Sequence, residues 1–138
     1  MAYNNAPPPP VNPEDIPENY VDMAEARMRQ CYWLISTSKL RNLLSMITDC
    51  YYSEKRSKQM RIADDTTEIL DSMRVRVANE IGRDKKSGDK FGKFARETKL
   101  QEYLKGIRKD RKAFLRFFGY MEALVAYHKY MGGNERDR

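Results

Sequence analysis

Residues 114–131 read FLRFFGYMEALVAYHKYM, and the fold turns on how this stretch is used. Phe114, Phe117, Phe118, Met121, Leu124, Val125 and His128 recur at steps of three and four, the spacing that gathers side chains on one face of an α-helix. Arg116, Glu122 and Lys129 are the formal charges in the stretch, too few for a helix lying on a wetted surface. The spacing predicts a central helix wrapped by several others, with a partner surface as the other use of the stripe. Asp110 is placed to cap its start, and Gly132 and Gly133 to stop it.

Working outward, four more helical segments follow from periodicity. Between Glu18 and Leu34, the residues Tyr20, Met23, Ala24, Arg27, Cys31 and Leu34 form one stripe, and Tyr32 and Trp33 at its end suit either the core or a stacking platform for a base. After the capping candidates Ser36, Thr37 and Ser38, a second helix carries Leu40, Leu43, Leu44, Ile47 and Tyr51 on a narrow face. Lys39 and Arg41 flank that face at about 100° to either side. Two cations, capping hydroxyls and free backbone N–H groups at a helix start make a candidate phosphate site.

A third helix is expected from Met60 to Ile81, with Gly82 as its stop and Arg76, Asn79 and Arg83 forming a polar line on its flank. A fourth, less regular, runs from Phe91 to Ile107. If it stayed helical through Asp110, Lys105, Lys109, Lys112 and Arg116 would share a face. All six prolines fall within residues 1–17, where no helical period exists. That segment is expected to be a disordered, proline-rich tail. The prediction is therefore an all-α, single-domain bundle of about five helices over residues 18–133, with flexible tails at 1–17 and 134–138.

A chain of 138 residues can bury roughly two-thirds of its unfolded surface without disulfides or metal. No apolar run reaches the length of a membrane span, and the opening MAYNNAPPPP lacks the pattern of a secretion signal, which points to the cytoplasm. Cys31 and Cys50 have neither a second cysteine pair nor a neighbouring histidine, so reduced, packed thiols are expected and no metal site. With no glycine-rich phosphate loop, no nucleophile motif and a single histidine, His128, the sequence predicts no catalytic residue and no cofactor.

The net charge of +6 is unevenly placed: between Arg83 and Arg116 there are thirteen basic residues against five acidic ones. Such a concentration suits a surface facing a polyanion, most simply a nucleic acid backbone, or a solvated charged face.

Two strings carry a family likeness. STSKLRNLLS at 36–45 and YMEALVAYHKYMGG at 120–133 closely resemble the small subunit of type III-A CRISPR effector complexes, the Csm family, and NYVDMAE at 19–25 and IGR at 81–83 extend the likeness. The resemblance implies a non-catalytic helical subunit in antiviral defence. Several copies would stack along the inner filament of the complex, beside the backbone subunits and under the large subunit, touching guide RNA and target RNA through their phosphates. On the matching strings it implies RNA contacts at Lys39, Arg41, Arg83 and Lys129; Arg74 stands where the family also looks basic, and Arg76 joins them as part of the polar line. The proline-rich start and KKSGDKFGKFAR depart from the family pattern. Two rivals are a helix-turn-helix DNA-binding regulator, which needs two helices joined by a turn of about three or four residues, and a purely architectural subunit whose charge faces acidic proteins.

Overall fold

The computed structural model describes residues 6–135, and at its centre stands the expected helix, α6, Arg111–Tyr130. Asp110 caps it as anticipated, its carboxylate accepting from the Ala113 N–H at 2.8 Å. Phe114, Phe117, Tyr120, Met121, Leu124 and His128 are fully buried on it. Around α6 lie α1, Tyr20–Arg29, followed by a short 3₁₀ turn, Tyr32–Leu34; α2, Thr37–Arg56; α3, Asp64–Asp84; α4, Lys90–Thr98; and α5, Leu100–Gly106. Among the described residues there is no strand, only an isolated bridge between Arg61 and Asp110.

Side-chain contacts fix the directions of these helices. Arg116 donates to the Ile16 carbonyl near the start of α6, and His128 bonds the Ile35 carbonyl near its end, so the segment containing α1 runs alongside α6 in the same sense. Helix α2 runs the opposite way, with Thr37 beside His128 and Tyr51 stacked on Phe118 at 3.9 Å between ring centroids. Helix α3 reverses again, with Thr66 against Glu54 at one end and Glu80 against Lys39 at the other.

The predicted fourth helix is two. Lys99, in the left-handed region at φ 55°, ends α4 and begins α5. A lysine held there costs about 1–2 kcal/mol. The Thr98 carbonyl freed by the break accepts the Tyr120 hydroxyl at 2.6 Å and Arg27 Nη1 at 3.4 Å. Arg27 Nη1 also donates to the hydroxyls of Tyr103 at 2.8 Å and Tyr120 at 3.2 Å, tying α1, α5 and α6 to that point. A second break follows at Arg108 and Lys109, both at positive φ, where the Lys109 carbonyl accepts from Ile62 N–H at 2.9 Å. The backbone therefore leaves the helix before Asp110, and the cationic face of Lys105, Lys109, Lys112 and Arg116 does not form.

Helix α3 begins later than expected and runs through Gly82 to Asp84. Ala63 at its cap position offers no side-chain oxygen, and the buried Glu54 of α2 supplies one from outside. Its Oε2 accepts from Ala63 N–H at 2.8 Å and from the Thr66 hydroxyl at 2.7 Å.

The proline-rich segment corrects the expectation of a tail outside the core. Residues 1–5 lie outside the described part, but Ile16 is 6% exposed and belongs to the core. Glu14 N–H donates to the Glu102 carbonyl at 3.0 Å, its carboxylate meets Lys99 Nζ at 2.9 Å, and the Val11 carbonyl accepts from Lys105 Nζ at 2.7 Å. Gly106 lets the Glu14 backbone pass where any Cβ would collide with it. The strap is extended because its prolines refuse the helix, and it docks because one isoleucine and two lysine partners outweigh its mobility.

Two outcomes follow. Ile16→Ala removes a buried side chain and is expected to lower unfolding free energy by about 2 kcal/mol or more in urea titration, whereas an undocked tail would leave the midpoint unmoved. Burial, with a smaller contribution from the Glu97 charge, pushes the Cys31 thiol up to about 12. A folded value above the unfolded one of about 8.5 makes the contribution to stability full below pH 8.5 and declining as pH rises toward 12. Iodoacetamide at pH 8 should label Cys31 only after unfolding.

Candidate nucleic-acid interface

One end of the bundle collects the first turn of α2 and the last turns of α3 and α6, and most of the predicted cations lie there. Lys39 Nζ is 3.2 Å from Glu80 Oε2, and Arg83 Nη2 is 3.7 Å from Glu80 Oε1, so two residues 44 positions apart converge on one carboxylate. Lys39 also sits over the Phe91 ring at 5.7 Å. With Leu34, Ser87 and Lys90 these groups line a cleft of about 220 Å³. Arg41 is exposed and, at 100° per residue, projects from the other side of α2 from Lys39. Lys129 is exposed on the last turn of α6.

The α3 arginines divide by the same geometry. Arg76 precedes Arg83 by seven residues, about two turns and 10 Å, and shares its face. Arg74, nine residues before Arg83, projects on the opposite side, where it pairs with Asp71 at 3.7 Å and lines a separate cavity of about 500 Å³ with Val75 and Lys105. Arg74 is not brought to the cleft.

The basic loop after α3 has a defined shape. Asp84 closes α3 and reaches over to accept from Phe91 N–H at 2.8 Å in the first turn of α4. Asp89, left-handed at φ 53°, pairs with Arg96 at 2.6 Å. Lys85, Lys86 and Lys90 are exposed on this pinned turn, next to the cleft. Trp33 is 54% exposed, against the core placement open to it in the sequence, while Tyr32 is half-buried and edge-on to it at 5.2 Å.

The backbone part of the predicted phosphate site is closed. Ser36 caps α2 by accepting from Lys39 N–H at 3.1 Å, and the N–H groups of Thr37 and Ser38 donate to the carbonyls of Asn134 and Glu135 at 2.7 and 3.0 Å. The tail reaches them through a reversal at Gly132, φ 79°, with Gly133 N–H bonding the His128 carbonyl and Gly132 N–H that of Lys129, the two bonds of a Schellman turn. Residues 134–135 are thus tied to α2, while 136–138 lie outside the described residues. Gly133 packs on the His128 ring, where a Cβ would collide. His128 is itself held at both nitrogens: the Ile35 carbonyl accepts from Nε2 at 2.6 Å, and Nδ1 faces the Thr37 hydroxyl at 3.1 Å.

A family model described as Csm2 Type III-A matches residues 15–134. The CRISPR system Cms protein Csm2 of Streptococcus thermophilus is 36% identical over 124 residues, covering 86% of this chain and 95% of that relative. The chain belongs to the Csm2 family. Its counterpart in Mycobacterium tuberculosis H37Rv is 32% identical over 125 residues, 88% of this chain and 98% of that one. The Enterococcus italicus protein of the same name is 33% identical over 98 residues, 70% and 67% respectively. This is thus a Csm2 small subunit, a component of the type III-A Csm complex. The family match opens at Asp15, beside the buried Ile16, and closes at Asn134, the residue whose carbonyl caps α2.

Within this Csm2 chain the acidic partner Glu80 escaped the sequence reading. Its signal was present as a Glu80–Arg83 pair at i,i+3, a spacing so common on helices that only the arrival of Lys39 from α2 sets it apart. Gly133→Ala should drive the chain off the His128 ring at a cost of about 1–3 kcal/mol. Hydrogen exchange is expected to quicken at the Thr37 and Ser38 amides while the middle of α3 keeps its protection.

Proposed function

We propose that this Csm2 subunit is a non-catalytic, sequence-independent clamp on RNA. Lys39, Arg41, Arg76, Arg83 and Lys129 neutralise phosphates of the guide and target strands, and exposed Trp33 is available to stack on a base. The observation that carries this reading is the convergence of cations from α2, α3, the pinned loop and α6 on one end of the bundle. Phosphate contacts of this kind position a strand without reading its bases, which fits a complex in which guide pairing supplies the sequence. Arg74, turned to the far side of α3, is assigned a separate contact with RNA or with a protein neighbour.

Neighbouring copies stack along the inner filament, beside the backbone subunits and under the large subunit, in the cytoplasm where Cys31 and Cys50 stay reduced. Support for the absence of chemistry comes from the side chains that could have carried it: the His128 ring is engaged at both nitrogens, and both thiols are buried. Between α2 and α3 the helix-turn-helix rival finds no support, because they are joined by the longer segment 57–63 and run antiparallel; a shift assay on duplex DNA tests it at the shorter joins, 85–89 and 107–110.

The test is target RNA capture by the reconstituted complex across a salt series. Lys39→Gln with Arg41→Gln should weaken capture at least about tenfold and flatten the log–log salt slope by about 1.4, two contacts at about 0.7 each. Photocrosslinking should attach RNA to peptides containing Trp33 or Lys85–Lys90. Unchanged capture, with no crosslink to this chain, would overturn the clamp in favour of a purely architectural subunit.

A further inference from the structure

We infer that Glu80 is a built-in competitor for phosphate, placed to keep RNA binding at this cleft weak and exchangeable. The inference rests on the clamp reading and adds its regulation. Glu80 is 8% exposed and lies on the last turns of α3, so its carboxylate is held largely out of water. Its two oxygens are taken separately, Oε2 by Lys39 and Oε1 by Arg83. Asp84, the other acid lining the cleft among the described residues, is committed to the first turn of α4 through Phe91 N–H.

In the free protein Glu80 does two things at once. It holds a long lysine and a long arginine at the mouth of one cleft, reducing the rotamer freedom lost when they bind. It also cancels one of their two charges. A phosphate entering the cleft has to draw Lys39 and Arg83 outward on their flexible stems, while the carboxylate stays behind, nearly buried and poorer in partners. Leaving a desolvated carboxylate without its cations is unfavourable, so each phosphate contact here carries a built-in penalty. The consequence is a contact easily made and easily lost, appropriate to a surface that must follow a strand as it pairs.

The measurement is anisotropy of a fluorescein-labelled polyuridine RNA titrated with the full-length chain across a salt series, alongside thermal melting. Glu80→Gln, which keeps the shape and removes the charge, should bind about three- to tenfold tighter than wild type at low salt. Its log–log slope should be steeper by about 0.7, because no carboxylate is left behind to take up a cation as the phosphate binds. Glu80→Asp retains the charge and should stay within about twofold of wild type, separating charge from packing should the glutamine variant melt lower. Equal or weaker binding by Glu80→Gln overturns the inference. Lys39→Gln and Arg83→Gln on the same probe keep the two readings apart: if neither weakens binding, the clamp at this cleft fails, and if both do while Glu80→Gln fails to tighten it, only the competitor role falls.

Discussion

An apolar helix that water cannot wet has to be enclosed, and α6 imposes that condition on the whole chain. Its aromatic face takes α1 along one side, α2 along another, and α5 closes on it with Tyr103 edge-on to Tyr120. Beside Arg116, which donates to its carbonyl, Ile16 of the proline strap joins the buried core. The strap is thus an integral part of the enclosure.

Polar groups inside this enclosure bond to partners far along the chain. Arg27 serves the Thr98 carbonyl at the α4–α5 break, Glu54 caps α3 from α2, and His128 joins α6 to Ile35 and Thr37. Burial works against the Arg27 charge, and hydrogen bonds to Tyr120 and Tyr103 outweigh it, so the net shift is upward. Burial likewise pushes the Tyr120 phenol up, keeping it a donor to Thr98. These long-range bonds fix the positions of helix ends, and the cationic cleft is made of helix ends.

Local signals in the sequence were read correctly where the physics is local. The α6 stripe, the Asp110 cap and the hydroxyl cap of α2, which falls to Ser36 among the candidates Ser36, Thr37 and Ser38, each depend on residues within a few positions of one another. The features that escaped depend on distant partners. Lys99 breaks a helix because Tyr120 and Arg27 take the freed carbonyl; Gly82 fails as a stop because Asp84 links α3 to α4; and residues 11–16 dock because α5 presents lysines to them. The candidate site followed the same division. Lys39 and Arg83 were identifiable as cations of matching strings, but their meeting at Glu80 required the antiparallel register of α2 and α3.

The closure of the α2 start by Asn134 and Glu135 bears on the kind of grip this surface can exert. Fixed backbone amides hold an anion at one angle and one distance, and here they are engaged by the chain's own carbonyls. What is offered outward is lysine and arginine on long stems, able to meet a phosphate from many directions. A polyanion held this way is free to shift lengthwise or twist without losing its hold, much as a rope slides through gloved hands.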